Sequence, residues 1–338
     1  MRKVFIEHIT RYNYSNSVRY HANQVMLYPI SNEFQKVNSH KLEVTSFPTI
    51  STYEDFFGNT IGTFNIIAPH NQMTVKSLVE ITMLPKTIEK VNEEPKEQWA
   101  KIEALKQNIS FFEYLSQTDS FTNTDVSSIL PEDFKTLDPL DVCVMLSQFI
   151  FENFSYQKGI TNIESTIEEV WKLKAGVCQD FTNILLYLNR FFGIPSRYVS
   201  GYICPSDDSN FRGVGATHAW VEVYIPQIGW VGIDPTNNCI TNGNHVMLSV
   251  GRDYKDCSPI KGVYSGVSTD QLEVSVVIND KNQFEASIAT QKKEEIKEEE
   301  RRDRKKLKDR NKQEKVREEK NRDSKSRNKT RFDKNRKY

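Results

Sequence analysis

A chain of 338 residues is long enough for two ordinary domains, or for one large domain with appendages. Hydrophobic residues make up 38% and charged residues 27%, a globular balance, and no stretch approaches the ~20 apolar residues of a membrane helix. The net charge of zero conceals an asymmetry: residues 291–338 carry 22 Lys/Arg against 12 Asp/Glu, leaving 23 against 33 for residues 1–290.

The chain opens on MRKVFIEHITRYNY, which has two early positive charges but no apolar core or small-residue cleavage site behind them. It reads as a strand of the mature protein, not a leader. Up to Leu84 apolar residues alternate, as in Val4-Ile6, Leu42-Val44, Ile61 to Ile67 and Val75-Val79-Ile81-Met83. With turn material at Asn16-Ser17-Val18-Arg19 and Phe57-Gly58-Asn59-Thr60, this predicts about six short strands in a small antiparallel sheet or sandwich. Pro85 to Gln117 is polar and helix-forming, the signature of a linker and a surface helix.

From Asp138 a helical face carries Leu140, Val142, Cys143, Leu146, Phe149 and Ile150. Ser165-Thr166-Ile167-Glu168-Glu169 has the form of a capped helix start. From Cys178, residues Phe181, Ile184, Leu185, Leu188, Phe191 and Phe192 follow the spacing of a buried helix, which Gly193 closes and Pro195 bars from continuing. The period then switches to two in 197–203, 218–224 and 230–234, with a last strand over Leu272-Val274-Val276-Ile278. Beyond Lys292 there is almost nothing apolar, so the tail cannot bury a core and is expected to be solvated and disordered. Its 12 acidic residues dilute any field toward nucleic acid, acidic lipid or an acidic partner, and its role is left open.

The five cysteines, Cys143, Cys178, Cys204, Cys239 and Cys257, are odd in number and scattered. That argues for free thiols in a reducing, cytoplasmic compartment. The chain has no CxxC pair, GxxxxGK[ST] loop or GxGxxG loop, so no metal and no nucleotide or other cofactor is implied.

Among these thiols Cys178 stands apart, because small residues precede it and a helix follows it. Unpaired N–H groups and the positive dipole end at a helix N-terminus stabilise a thiolate, and can hold the oxyanion of an acyl intermediate. His218 begins a strand after a glycine-rich loop, and Asp234 ends the next strand just before Pro235. Antiparallel pairing of those strands brings the two within reach, giving nucleophile, base and orienting carboxylate in the order Cys, His, Asp. Each residue alone has a plainer explanation as a buried thiol, a core histidine or a turn aspartate; together, on these elements, they are far more specific.

The runs Ala175-Gly176-Val177-Cys178-Gln179-Asp180-Phe181, Phe192 to Tyr202, His218-Ala219-Trp220-Val221-Glu222-Val223-Tyr224 and Gly229 to Asn237 closely resemble the bacterial transglutaminase-like superfamily. His8, Tyr12, Tyr14 and the Asp55 to Asn59 turn resemble the β-rich N-terminal region that accompanies it, and Gly251-Arg252-Asp253-Tyr254 with Ser258 to Tyr264 resemble its closing segment. The resemblance implies an α+β, papain-like core with the cysteine-bearing helix packed on an antiparallel sheet. It also implies a β-sandwich-like N-terminal region and a catalytic triad of Cys178, His218 and Asp234. The division expected is 1–90 for the β-rich region, 91–137 for linker and surface helices, 138–280 for the catalytic domain and 281–338 for the tail. A second oxyanion donor is needed beside the Cys178 N–H, and Tyr156, Gln179 and Trp220 are the substrate-binding candidates. Asp180, Glu222 and His245 are expected to be structural.

The activity implied is attack on an amide bond of a peptide or protein, as a cysteine peptidase or amidase. The alternatives are a transglutaminase passing the acyl group to an amine, and a non-catalytic peptide-binding module. No nucleic acid is expected on the body, and no membrane.

Overall fold

The computed structural model describes residues 1–84, 87–89, 91–117, 126–204 and 211–279, with scattered positions from 281 to 304. The linker positions 85–86 and 90, and the tail beyond 304 expected to be disordered, lie outside the described residues. Two compact units are formed, Met1–Phe284 and Glu285–Tyr338, and the described residues of the second are helical.

In chain order the first unit runs β1 (Arg2–Val25), β2 (Gln35–Val44), β3 (Ser51–Glu54), β4 (Thr60–Ile66) and β5 (His70–Met83). Then come α1 (Pro95–Leu105), α2 (Phe112–Leu115), α3 (Pro139–Asn153), β6 (Ser155–Tyr156), α4 (Ile167–Leu173), β7 (Ala175–Gly176) and α5 (Cys178–Phe191). The remainder is β8 (Ser196–Ile203), β9 (His218–Ile225), β10 (Gly229–Asp234), β11 (Cys239–Ile240), β12 (His245–Gly251), α6 (Tyr254–Cys257), β13 (Ile260–Ser265) and β14 (Asp270–Asn279).

β1 organises the N-terminal sheet. Its first half lies between β5 and β14, and its second half between β4 and β13, all antiparallel. With β2 beside β5 and β3 beside β4, seven strands curl around one apolar interior. Residues alternate as a pleated strand requires, with Val4, Ile6, His8 and Thr10 turned inward. The turn expected at Asn16-Ser17-Val18-Arg19 is absent. β1 stays extended there and changes partners, with an irregular register between Asn13 and Val18, so residues 1–84 hold five strands rather than about six. Asn16, Ser17 and Arg19 of that run are exposed and Val18 is buried, and the strand bonds across to the segment before β14: Ser15 N donates to Thr269 O at 2.9 Å, and Asn16 Nδ2 to Val267 O at 2.9 Å. The second expected turn forms, with Asp55 Oδ1 accepting from the N–H groups of Phe57 (2.9 Å) and Asn59 (2.8 Å) and Gly58 at φ +82°.

The later strands form a second antiparallel sheet in the order β11-β10-β9-β8-β12. Both faces are covered, so β8, β9 and β12 are buried almost throughout. On one face, Phe181, Ile184, Leu185 and Leu188 of α5 and Val142, Leu146 and Ile150 of α3 pack on Ala219, Val221, Val223, Val231 and Ile233. Each of these side chains other than that of Ala219 contributes roughly 1.5–3 kcal/mol on burial. On the other, Tyr202, Cys204, Val246 and Leu248 share a core with Val4, Ile6 and Val25 of the N-terminal sheet. The α+β architecture, with the cysteine-bearing helix against an antiparallel sheet, is the one expected.

β12 is an edge strand, yet part of its outer edge is satisfied. The Gln35 side chain donates to Met247 O and accepts from Met247 N, both at 2.8 Å. Asn59 does the same at Val250, at 2.7 and 2.8 Å. Two buried amides thus complete the ladder as a neighbouring strand would.

Candidate active site

The turn into α5 is fixed before any chemistry is considered. Asp180 Oδ2 accepts from Val177 N at 2.8 Å and from Thr161 Oγ1 at 2.7 Å, which caps the first turn. A side chain at Gly176 would place its Cβ 2.6 Å from that oxygen, so glycine is required just before the cap. β6 and β7 pair in parallel, with Gln157 N donating to Gly176 O at 2.8 Å, which brings Tyr156 alongside the segment leading to Cys178. Cys178 is the first residue of α5 and is partly exposed.

His218 begins β9 and is 2% exposed; Asp234 ends β10 and is fully buried. His218 Nε2 donates to Asp234 Oδ2 at 2.8 Å. A carboxylate only accepts, so Nε2 carries hydrogen and Nδ1 is the ring nitrogen that gains or loses the titrating proton. Nδ1 has no hydrogen-bond partner, and the Cys178 thiol is among the groups that favour the charged ring. Gly213, at φ +92°, backs this nitrogen so closely that a Cβ there would lie 2.5 Å from Nδ1.

Burial opposes charge on His218, but the Asp234 carboxylate and its hydrogen bond, aided by Cys178, raise its pKa to about 10. Burial likewise opposes charge on Asp234, and its histidine partners hold it well below the usual carboxylate range. Asp234 also accepts from Thr236 N at 2.9 Å, Asn237 Nδ2 at 2.7 Å and His245 Nε2 at 3.0 Å. Asn237 ties this acid to the loop before β9, its Oδ1 accepting from Arg212 N at 2.8 Å. His218, Asp234 and His245 bring ligand-type atoms within 4.8 Å of one another, and the two Nε2–H bonds to a single carboxylate oxygen account for that grouping.

The remaining expected residues separate. Tyr156 is half-buried; burial, then the nearby Cys178 and Asp234, push its phenol up to about 12, so it stays protonated and able to donate. Gln179 lines a polar groove of about 420 Å³ with Tyr187, Arg190 and Asp253, and Cys178, His218 and Asp234 are not among its walls. Trp220 is 2% exposed beneath the His218 ring, at 6.2 Å between centroids, with Gly201 leaving room for its six-membered ring. It supports the histidine from below and presents no surface. Glu222 pairs with Arg197 at 2.7 Å, and Arg197 lies over Trp230 at 4.2 Å. Burial pushes Cys204 and Cys239 up to about 12 and raises Cys143 and Cys257 further. The contact of His245 with Asp234 was not legible in the sequence, where no motif marks it; its one signal is its place at the start of a strand soon after Asp234-Pro235.

Residues 130–235 match the transglutaminase-like superfamily, and residues 4–82 match the bacterial transglutaminase-like N-terminal region. An uncharacterized protein of Mycobacterium leprae is 30% identical over 284 residues, covering 82% of this chain and 99% of that one. One of Mycobacterium tuberculosis is 29% identical, covering 80% and 90%. A protein-glutamine gamma-glutamyltransferase of Pseudomonas aeruginosa is 29% identical over 101 residues, 28% of this chain and 15% of that protein. A protein of Cytophaga hutchinsonii, described as a candidate cysteine protease, has the same fold with a TM-score of 0.52 at 17% identity, over 83% of this chain and 92% of that one. No helix among the described residues is long and apolar enough to cross a membrane. On these matches, the chain belongs to the transglutaminase-like superfamily.

Proposed function

We propose that the protein is a thiol enzyme that opens amide bonds of peptides or proteins through Cys178, His218 and Asp234, releasing the acyl group to water as a cysteine peptidase or amidase. The observation that carries this reading is the hydrogen bond from His218 Nε2 to buried Asp234, which leaves Nδ1 for the thiol at the start of α5. With its pKa raised to about 10, His218 is an imidazolium beside the sulfur at neutral pH; the sulfur attacks the carbonyl carbon as a thiolate, and His218 gives its proton to the departing amine as the tetrahedral adduct collapses to a thioester. Water then attacks the thioester, His218 accepting its proton and passing it to the leaving sulfur. The Cys178 N–H faces the developing oxyanion, and the Tyr156 phenol is the second donor that its proximity to Cys178 supports.

A second reading, transfer of a glutamine acyl group to an amine, is favoured by the segment shared with the Pseudomonas aeruginosa glutamyltransferase. Incubating the protein with glutamine-containing peptides, with and without a primary amine, and weighing the products separates the two. A gain of the amine's mass less ammonia indicates transfer, and peptide cleavage or deamidation indicates hydrolysis. Failure of iodoacetamide to label Cys178 faster than a free peptide thiol would remove both.

A further inference from the structure

Asp234 serves two imidazoles with one carboxylate. Its Oδ2 accepts from His218 Nε2 at 2.8 Å, from Asn237 Nδ2 at 2.7 Å and from His245 Nε2 at 3.0 Å. Both rings must therefore carry hydrogen on Nε2. His245 is the first residue of β12 and 7% exposed, with its ring edge-on to Trp220 at 5.2 Å and to Phe211 at 6.0 Å. Its centroid is 6.2 Å from that of His218, so its link to His218 runs through the shared carboxylate. The strand that carries it is held by the Gln35 and Asn59 amides.

Given the thiol mechanism proposed above, we infer that His245 is a positioning residue that clamps the Asp234 carboxylate and limits the negative charge it presents to His218. A carboxylate that accepts a further N–H is a weaker partner for an imidazolium. That matters because His218 has to give its proton up again to the leaving group. An Asp234 reserved for His218 alone would hold the imidazolium too firmly.

The other ionisable groups around the cluster do not duplicate this role. Cys178 approaches His218 from α5, Tyr156 of β6 lies near Cys178 and Asp234, and Cys239 approaches Asp234 from β11. Arg212 lies on the loop hydrogen-bonded to Asn237. From β1, Arg2 donates to Cys204 O at 2.8 Å and to Asn244 Oδ1 at 3.3 Å. Glu222, which lines a cavity of about 20 Å³ with His245, is paired with Arg197. Among the described residues Asp234 alone joins both rings by hydrogen bonds.

The test uses the full chain, with His245→Leu and His245→Gln compared by the pH profile of Cys178 alkylation and of peptide turnover. Removing the donor should move the acid limb of alkylation down by about 0.5–1 pH unit and the alkaline limb of turnover up by a similar amount. Glutamine, whose Nε2–H reaches the same oxygen, should restore both limbs. A folded leucine variant with unmoved limbs overturns the clamp, because a merely structural histidine would change melting temperature and leave the profile in place. Should leucine prevent folding, ¹⁵N-histidine NMR of the unaltered protein decides: hydrogen on Nε2 of both rings supports the clamp, and a His245 protonated on Nδ1 alone overturns it. A His218→Ala change without effect on alkylation would instead condemn the triad itself.

Discussion

The two sheets bury histidines equally well and treat them in opposite ways. His8, on the N-terminal sheet, is 1% exposed, and His218, on the second sheet, is 2% exposed. His8 meets only hydroxyls, Tyr202 Oη at 2.8 Å and Thr10 Oγ1 at 2.9 Å, and burial drives its pKa down to about 4. His218 meets a carboxylate and is raised to about 10. Burial sets the stakes, and the charge of the partner decides the outcome. One sheet thereby carries a histidine kept neutral, and the other carries one kept protonated through neutral pH.

The sharpest way to break the comparison is at the charged partner and the ring it holds. His218→Ala should slow iodoacetamide labelling of Cys178 at pH 7 by ~10²–10⁴-fold, with Cys143, Cys204 and Cys257 unlabelled in either protein. Asp234→Asn should pull the alkaline limb of turnover down from about 10, because the imidazolium loses the charge that sustains it. The sign for stability follows. The raised His218 contributes stability that is complete below 6.5 and lost as pH rises through about 10, whereas the lowered Asp234 contributes above 3.8 and loses it in acid.

Gly213→Ala probes the same ring from behind. A Cβ 2.5 Å from Nδ1, at a φ of +92° unsuited to alanine, must displace either the loop or the imidazole. Turnover should fall ~10–100-fold while circular dichroism and the exposure of the other cysteines stay unchanged. Normal turnover would mean that the loop yields freely and does not position the base.

Smaller effects are expected from the N-terminal region. Gln35→Leu orphans the N–H and C=O of Met247 and should cost about 1–3 kcal/mol in urea unfolding. His8→Gln should flatten the loss of stability between pH 6.5 and 4, a window in which the unfolded chain binds a proton that the folded His8 refuses. Smallest of all is Lys172→Ala, which removes an exposed pair with Glu168 at 2.6 Å and should change stability by no more than ~0.5 kcal/mol.

Periodicity made α5 and β8 to β10 legible: α5 buries a regular face and is followed by Gly193, and β9 and β10 are followed by Pro226 and Pro235. The Thr166 cap was equally legible: its Oγ1 accepts from Glu169 N, and the Glu169 carboxylate accepts from Thr166 N, as the Thr-x-x-Glu spacing requires. The hydrogen-bonded contact of His218 with Asp234 followed from strand order alone. Long-range partners were not legible. Nothing near Gln35 or Asn59 announces that its amide will complete a strand more than 190 residues away. The change of partners along β1 was hidden for a related reason, since exposed polar residues look alike in a turn and at a bend in a continuing strand. The contact of His245 with Asp234 was hidden because a carboxylate that accepts from two imidazoles has no sequence spacing of its own.

The amides of Gln35 and Asn59 also bear on how the protein can be divided. A fragment beginning after residue 84 would keep Cys178, His218 and Asp234 but would bare Tyr202, Val246 and Leu248, and would leave part of the edge of β12 without partners. Such an edge is a template for pairing with another copy, so that fragment should associate. Because β13 and β14 return to β1 after the last site residue, no single cut separates the thiol site from its support. The smallest transplantable unit is set by a ladder that two side chains finish, and a graft of this chemistry onto another scaffold would have to supply those two rungs.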